Sequence, residues 1–556
     1  MVNVKNLFGM AVMATALVGC SSNDNLAPDG KDNVGKTGEA YASFTINLPT
    51  TSGTRADEPG TPSFAEGEAK EYEVKNGTIL IFTNEGKFVT SAQLGNMNPW
   101  KDIKTDGVTT AATATVKLSG VTVGGNYQAL VLLNNDVDAS TSKVKLPTAG
   151  ESYATWSAKA ENATAAYTKT DYIFMANAPK YTDASAEPTT LVPVANICAS
   201  REQAEAKAAT TVYVERGLAK VTMQKFNADG YAIAAGTYKG DKVEIKAWQL
   251  DVTNKSTFPV HQTSSLTDGF ANIWSTPRFY DGDNKTFKRV YWGVDPNYSD
   301  ATLQNLIACK DAFNMIGKDD IAGKTGNDYP QYCLENTFDL ANMMQGQTTR
   351  VVFKAVFTPK DFTTGQTFYK IGNNTAIWDA TKLAQQIHTV AVTAMGITDA
   401  AEQENYVVKL DASTNNISGT AGLHTITAAN IEYKGTGTSL VAANIDKINE
   451  KLGLKETGIS TYLNGEAYYI ARIKHFNELT PWTAGEGYGT ANDKYLGRYG
   501  VLRNNWYDLS VNSISGLGYP DIPEVKPDVP DDENEQYINV EVKILDWAKR
   551  TQQIEL

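Results

Sequence analysis

Histidine and cysteine are scarce in this 556-residue chain, which has 4 of each. That leaves little material for a zinc enzyme, and no C-x-x-C spacing occurs. The patterns H-E-x-x-H and G-x-S-x-G are also missing, which removes the commonest metalloprotease and serine-hydrolase signatures. Basic residues are outnumbered, with Lys+Arg 50 against Asp+Glu 63 and a net charge of −13. A nucleic-acid partner is excluded on that ground, because it would need a basic face to displace phosphate counterions. After the N-terminal region no run of 18 apolar residues occurs, so the rest is expected to be soluble. His261, His388, His424 and His475 are isolated in sequence, each expected as a core or surface residue rather than a ligand. Asp281, Asp283 and Asn284 lack the glycine and distal glutamate of a calcium loop. Gly485-Glu-Gly-Tyr-Gly489 reads as a loop, and the acid pairs Asp319-Asp320 and Asp531-Asp532 as solvated. The chain is therefore expected not to be an enzyme, with no cofactor and no metal.

What remains is a globular composition, 42% hydrophobic and 20% charged. At about 100–200 residues per domain, two to four domains fit. Tyr at 27 and Gly at 44, with abundant Thr, Ala and Val, point to strands and turns. The N-terminus is an address. Lys5 precedes the apolar run Leu7–Val18, then Gly19, Cys20 and a polar stretch Ser21–Asn25. This reads as a secretory signal and is similar to a bacterial lipoprotein box, which implies acylation of the Cys20 thiol and membrane anchoring. Cys198, Cys309 and Cys333 are expected as buried free thiols.

Residues 21–40 form a polar tether. In Tyr41–Pro49, Ala42, Phe44, Ile46 and Leu48 fall on one face and Ser43, Thr45 and Asn47 on the other, the pattern of a half-buried strand. The loop Thr50–Pro62 follows, exposed and open to proteolysis. Further strands are expected at 77–83, 113–118, 127–133, 211–214, 219–226 and 242–253. Helical spacing is rarer. Asp300 is placed to cap a segment to Ile316 carrying Leu303, Leu306, Ile307 and Phe313. Ser439 is placed to cap another carrying Val441, Ile445, Ile448 and Leu452. Residues 375–395 are ambiguous. Residues 521–536 hold seven acidic residues, one Lys and three Pro, so an extended, solvated linker is expected. Strand patterning resumes at Tyr537 with Ile538, Val540, Val542 and Ile544, joined by Leu545 and Trp547.

Two strands thus share one pattern. The first precedes a cleavable loop. The second hangs from a linker of 16 residues, which spans about 50 Å at roughly 3.1 Å per residue. An exchange follows as an expectation: cutting near Arg55 releases the first strand, and another subunit's tail fills its groove. Four buried side chains contribute about 5–11 kcal/mol. That is the size of a whole domain's stability, about 5–15 kcal/mol. The other reading is that the tail pairs within its own chain.

Further segments carry a family resemblance. They are Val214-Glu-Arg-Gly-Leu-Ala-Lys-Val221, Tyr332-Cys-Leu-Glu-Asn-Thr337, Tyr499-Gly-Val-Leu-Arg-Asn-Asn-Trp-Tyr507 and Asn512-Ser-Ile-Ser-Gly-Leu-Gly518. Together with the lipobox, the first strand before Arg55-Ala56, and the tail, they make the chain resemble the Bacteroidales fimbrillins, most closely the minor fimbrium subunit family. The resemblance implies a mainly β fold of two transthyretin-like β-sandwich domains with a few short helices and a C-terminal donor strand. It implies a signal peptide 1–20, a propeptide 21–55 with the removable strand, sandwich domains 56–260 and 261–520, and an acidic linker with donor strand 521–556. It implies an outer-membrane lipoprotein precursor, cut by a trypsin-like protease between Arg55 and Ala56. The product would be a stalk subunit polymerising by donor-strand exchange into a cell-surface fimbria for adhesion and biofilm formation. The implied partners are other copies, anchor and tip subunits, the protease, and host or bacterial surface ligands. The rival readings are a tip adhesin of the same family and a lipid-anchored glycan-binding protein. Glu215 and Arg216 are expected as an ion pair, Glu335 and Asn336 as loop hydrogen-bonders, and Arg503, Trp506 and Tyr507 as packing at a strand start.

Overall fold

The structure is a computed structural model. It describes residues 37–49, 68–95, 101–105, 108–138, 141–162, 167, 171–182, 187–264, 266, 279, 289–326, 328–410, 417, 421–454, 457–476, 496–531 and 538–546. The fold is mostly β, with several sheets and few helices. The first eight main strands are β1 Thr37–Pro49, β2 Gly77–Thr83, β3 Phe88–Gln93, β4 Lys101–Thr105, β5 Val108–Thr122, β6 Tyr127–Leu133, β7 Met175–Asn177 and β8 Thr210–Arg216. They form one sheet in the order β3-β2-β6-β7-β8-β1-β5-β4.

Alternation along β2 and β6 sorts their side chains into two cores. Ile79, Ile81, Ala129 and Val131 join Phe44 and Ile46 of β1 in one. Leu80, Phe82, Leu130 and Leu132 face the other way, onto Trp156, Phe174, Leu218, Val260 and Leu334. Strands buried on both faces need continuous apolar runs, which is why Gly-Thr-Ile-Leu-Ile-Phe-Thr reads as it does. Since β2 and β1 share a core although β6, β7 and β8 lie between them, the sheet curls over on itself.

Beyond Gly217 and Leu218 the chain enters new sheets. The strands are β9 Ala219–Met223, β10 Tyr231–Ala232, β11 Lys242–Asp251, β12 Gln331–Cys333, β13 Arg350–Thr358, β14 Phe368–Ile371, β15 Gly422–His424, β16 Ile459–Tyr462, β17 Glu466–Arg472, β18 Asn505–Ile514 and β19 Ile538–Asp546. Two four-stranded sheets, β12-β9-β18-β19 and β10-β11-β13-β17, face one another across a shared core that includes Val221, Trp248, Phe353, Tyr469 and Leu509. We place the domain boundary at Gly217–Leu218 rather than near residue 260. Lys242–Asp251 supplies an inner strand of the second domain's sheet, hydrogen-bonded to β10 and β13.

A third core lies between β13 and β17, where only a continuation of the second sandwich was expected. It is built by β14, α1 Ala380–Met395, β15, α2 Val441–Lys451 and β16. The ambiguous segment 375–395 resolves as helix because Asp379 accepts from Lys382 N–H at 2.8 Å and Gly396 closes it at φ 75°. Leu383, Ile387, Ala391 and Ala394 line its buried face. Ser439 Oγ accepts from Val441 N–H at 3.3 Å at the start of α2. The segment after Asp300 is not one helix. A short 3₁₀ turn Ala301–Gln304 ends at Asn305, which caps a new helix Leu306–Ala312 and leaves Ile307 73% exposed.

Residues 521–531 correct the expectation of a solvated linker. Val525 and Asp531 are buried. Arg350 Nη2 donates to Pro523 O, Gln345 N–H to Val529 O, and Thr348 Oγ1 to Asp531 Oδ2. Proline leaves a backbone with free carbonyls, and buried polar groups of the second domain take them up. The strands expected at 77–83 and 127–133 have those bounds.

Phe44→Ala in the uncut chain should lower first-domain stability by about 3–5 kcal/mol. Ile307→Ala, exposed and in the second domain, should change that domain's stability by about 0.5 kcal/mol or less. Denaturant titration of both variants tests this assignment.

Candidate functional site: the first strand, the tail and the junction between them

Cys20, Arg55, Ala56 and Trp547 lie outside the described residues, as do the calcium-loop candidates Asp281, Asp283 and Asn284 and the glycine cluster 485–489. The remaining predicted residues fall on two strands in different sheets.

Ala42, Phe44, Ile46 and Leu48 are all buried in β1. Both edges of this strand are occupied. It runs antiparallel to β5, with Phe44 opposite Ala114, and parallel to β8, with Phe44 opposite Thr210. The opposite face is not left half-open as expected. Ser43 and Asn47 are buried too, and Ser43 Oγ donates to Ala204 O at 3.0 Å from the short helix Arg201–Glu205 lying over it. Tyr41 and Cys198 exchange two backbone hydrogen bonds at 2.8 Å. Withdrawal of β1 would leave β5 and β8 with facing open edges and a slot lined by Val116, Leu118, Val212 and Val214.

Ile538, Val540, Val542, Ile544 and Leu545 lie in β19, antiparallel to β18. Val540 is opposite Val511, Val542 opposite Leu509, Ile544 opposite Tyr507 and Leu545 opposite Trp506. The tail is thus paired within its own chain. Among the described residues β19 has β18 as its one strand partner and stands at the sheet's edge. The structure does not bring β1 and β19 together. It links them by one hydrogen-bonded route: β1 beside β8, β8 through Gly217-Leu218 into β9, β9 parallel to β18, β18 beside β19.

Buried charge sits where that route crosses between domains. Glu71, on the short helix Ala69–Tyr72, faces Lys220 Nζ of β9 at 2.6 Å and accepts from Tyr332 Oη of β12 at 2.5 Å. Burial pushes the Glu71 carboxyl up, but the Lys220 ammonium and the surrounding donors outweigh it and hold it below the usual carboxylate range. Lys220 Nζ also sits 3.8 Å from the Trp506 ring centre, and Trp506 Nε1 donates to Thr222 Oγ1 at 2.7 Å. Glu215 and Arg216 do not pair with each other, contrary to expectation. Neighbours on a strand point to opposite faces. Arg216 Nε donates to Glu71 O at 2.9 Å and its Nη1 to Asn504 Oδ1 at 3.3 Å. Glu215 instead meets His261 Nδ1 at 2.8 Å. Glu335 accepts from Arg503 Nε at 3.3 Å, and Asn336 Nδ2 donates to Gln347 O at 2.9 Å and Thr349 Oγ1 at 2.8 Å. Arg503, Trp506 and Tyr507 are buried at the start of β18.

Glu71, Lys220 and His261 were missed as a group because their partners are distant in sequence. The legible trace was Val-Glu-Arg-Gly-Leu-Ala-Lys-Val, in which charges interrupt an apolar strand pattern. Cys198, Cys309 and Cys333 are buried, and burial pushes the Cys309 and Cys333 thiols up to about 11 and about 12. Among the described residues no group of His, Cys, Asp and Glu could hold a metal. No helix among them is long and apolar enough to cross a membrane.

Residues 460–553, from the end of the insert through the tail, match the family described as major fimbrial subunit protein type IV, fimbrillin, C-terminal. Among solved structures, a fimbrilin from Porphyromonas gingivalis W83 is 12% identical, with a TM-score of 0.32 over 92% of this chain and 99% of that one. A fimbrial assembly protein from Parabacteroides distasonis is 12% identical, with a TM-score of 0.28 over 58% and 88%. No curated protein matches significantly.

Lys220→Met should cost about 3–5 kcal/mol by leaving Glu71 charged and buried, and Lys220→Met with Glu71→Leu should recover most of it. Denaturant unfolding of the single and double variants decides; equal losses in both would contradict the pairing.

Proposed function

We propose that this fimbrillin-family chain is a structural stalk subunit of a cell-surface fimbria, made as a lipid-anchored precursor and polymerised by protease-triggered donor-strand exchange. The observation that carries this reading is the placement of β1. A strand that precedes a cleavable loop in sequence is inserted between β5 and β8, with its apolar face wholly buried.

In this account Cys20 carries the lipid that holds the precursor at the outer membrane. A trypsin-like protease cuts between Arg55 and Ala56, and residues 20–55 leave with the lipid and β1. The tail of a neighbouring copy then enters the slot. The exchange has a physical direction. In its own chain β19 has, among the described residues, one ladder, to β18; in the slot a donor strand has two, to β5 and β8, and its alternate side chains fill an apolar groove. Head-to-tail joining of this kind is heterologous and gives an open filament. Anchor and tip subunits would terminate it, and adhesion and biofilm formation would follow from its display. The chain acts as a scaffold, not an enzyme. Of the rivals, a tip adhesin requires a tail that cannot act as donor, and a lipid-anchored glycan binder requires no cleavage at Arg55.

Limited trypsin digestion of the soluble precursor, followed by size analysis and microscopy, tests the reading. Cut wild type should give ladders or filaments. Arg55→Ala and a truncation ending at Gln536 should stay monomeric. A cut wild type that remains a stable monomer would overturn it.

A further inference from the structure

His261 has entered so far only as the partner of Glu215, and its surroundings are unusual for a neutral imidazole. Its ring is buried. Nδ1 is 2.8 Å from Glu215 Oε1, and Nε2 is 3.1 Å from the carbonyl oxygen of Trp292. Both partners are acceptors once Glu215 is ionised, and a neutral imidazole has one N–H to give. Both contacts are satisfied together by the imidazolium.

Charge balance points the same way. The groups facing the ring are Glu215 from β8, Glu335 after β12, whose Oε2 is 3.9 Å from Nε2, and Arg503 ahead of β18, whose Nε is 3.3 Å from Glu335 Oε1. Tyr167 also feels the charge of both carboxylates, and Asp295 that of Glu335. With Asp295 protonated, two carboxylates against one guanidinium leave one negative charge, which a cationic His261 cancels. Burial pulls the imidazole down, but Glu215 and Glu335 outweigh it and hold it above its usual 6.5. The ring also has no slack: a Cβ on Gly293 would collide with it.

The position matters more than the charge. Glu215 belongs to β8, the strand beside β1. Arg503 and Glu335 belong to the second domain, and Arg503 leads into β18, which holds the tail. We propose that His261 is a proton-controlled bolt across the domain junction, tying the wall of the first-strand slot to the base of the strand that carries the tail. With His261 protonated, β8 and β18 are held together. With it neutral, Glu215 or the Trp292 carbonyl loses its donor and an uncompensated carboxylate is left buried, which loosens the slot wall. The bolt's stabilisation is full below pH 6.5 and is lost as pH rises through the raised folded value. Asp295, pushed up to about 7 by burial, loses its proton in the same direction of pH change, so the His261 resonance itself, not the protection step alone, assigns the change. The consequence for assembly rests on the exchange reading; the bolt itself does not, and is tested on the uncut full chain.

Hydrogen exchange of 210–216 and 503–509, corrected for intrinsic rate, is followed from pH 5.5 to 9 beside the titration of the histidine Cε1–H resonances. His261 should titrate above 6.5, and protection of both segments should fall together with it. His261→Gln should abolish the step. Glu215→Gln, which keeps the shape, should shift it downward by a tenfold or greater loss of proton affinity, and this variant decides the matter alone if His261→Gln does not fold. A His261 midpoint at or below 6.5, protection unchanged across the titration, or a Glu215→Gln step left in place would each overturn the bolt. None of these results depends on whether the cut protein polymerises.

Discussion

The first domain depends on a strand inserted between two others. β1 supplies Phe44, Ile46 and Leu48 to a core it shares with β2, β5, β6 and β8, and it occupies both of the edges that would otherwise face each other across a gap. Open edges and an unfilled apolar slot are both costly in water, the first through unpaired backbone groups and the second through lost burial. The domain therefore needs some strand at this place. A chain that supplies its own strand from ahead of residues 50–62 has a stable precursor. The same need would make a partner's strand welcome once its own is gone.

The second constraint is the junction. β8 and β9 are joined by two residues, Gly217 and Leu218, and a Cβ on Gly217 would press on Tyr167 and Phe174. Around that turn the two domains interlock through Glu71–Lys220, Arg216–Asn504 and the Glu215–His261–Glu335–Arg503 cluster. Buried ion pairs contribute modestly to net stability, yet breaking one is expensive. They suit a place where relative position matters more than affinity. Here they keep the slot wall and the base of the tail strand in one fixed frame.

Much of this was legible in the sequence. The alternation in Tyr41–Pro49 located β1 and named its buried face, and the apolar runs at 77–83 and 127–133 gave their strands to the residue. Period-two and continuous apolar patterns carry that information locally. Three things were not legible. The insert between β13 and β17 looked like more sandwich, because its helical segments were read singly as packing elements and 375–395 was ambiguous, although Asp379 caps a helix there. The segment 521–531 looked solvated, since composition reports charge and proline but not the Arg350, Gln345 and Thr348 that receive it. Glu215 and Arg216 of β8 looked like a local pair, because pairing across domains leaves no spacing to read.

The account turns on whether β1 leaves when the chain is cut and assembles. Denaturing mass spectrometry of the assembled fraction after proteolysis measures this directly. The account predicts subunits that begin at Ala56, with the peptide containing Tyr41–Pro49 missing from the filament. Recovery of that peptide in equal amount with the subunit would mean the slot is still plugged, and would contradict exchange even if filaments had formed.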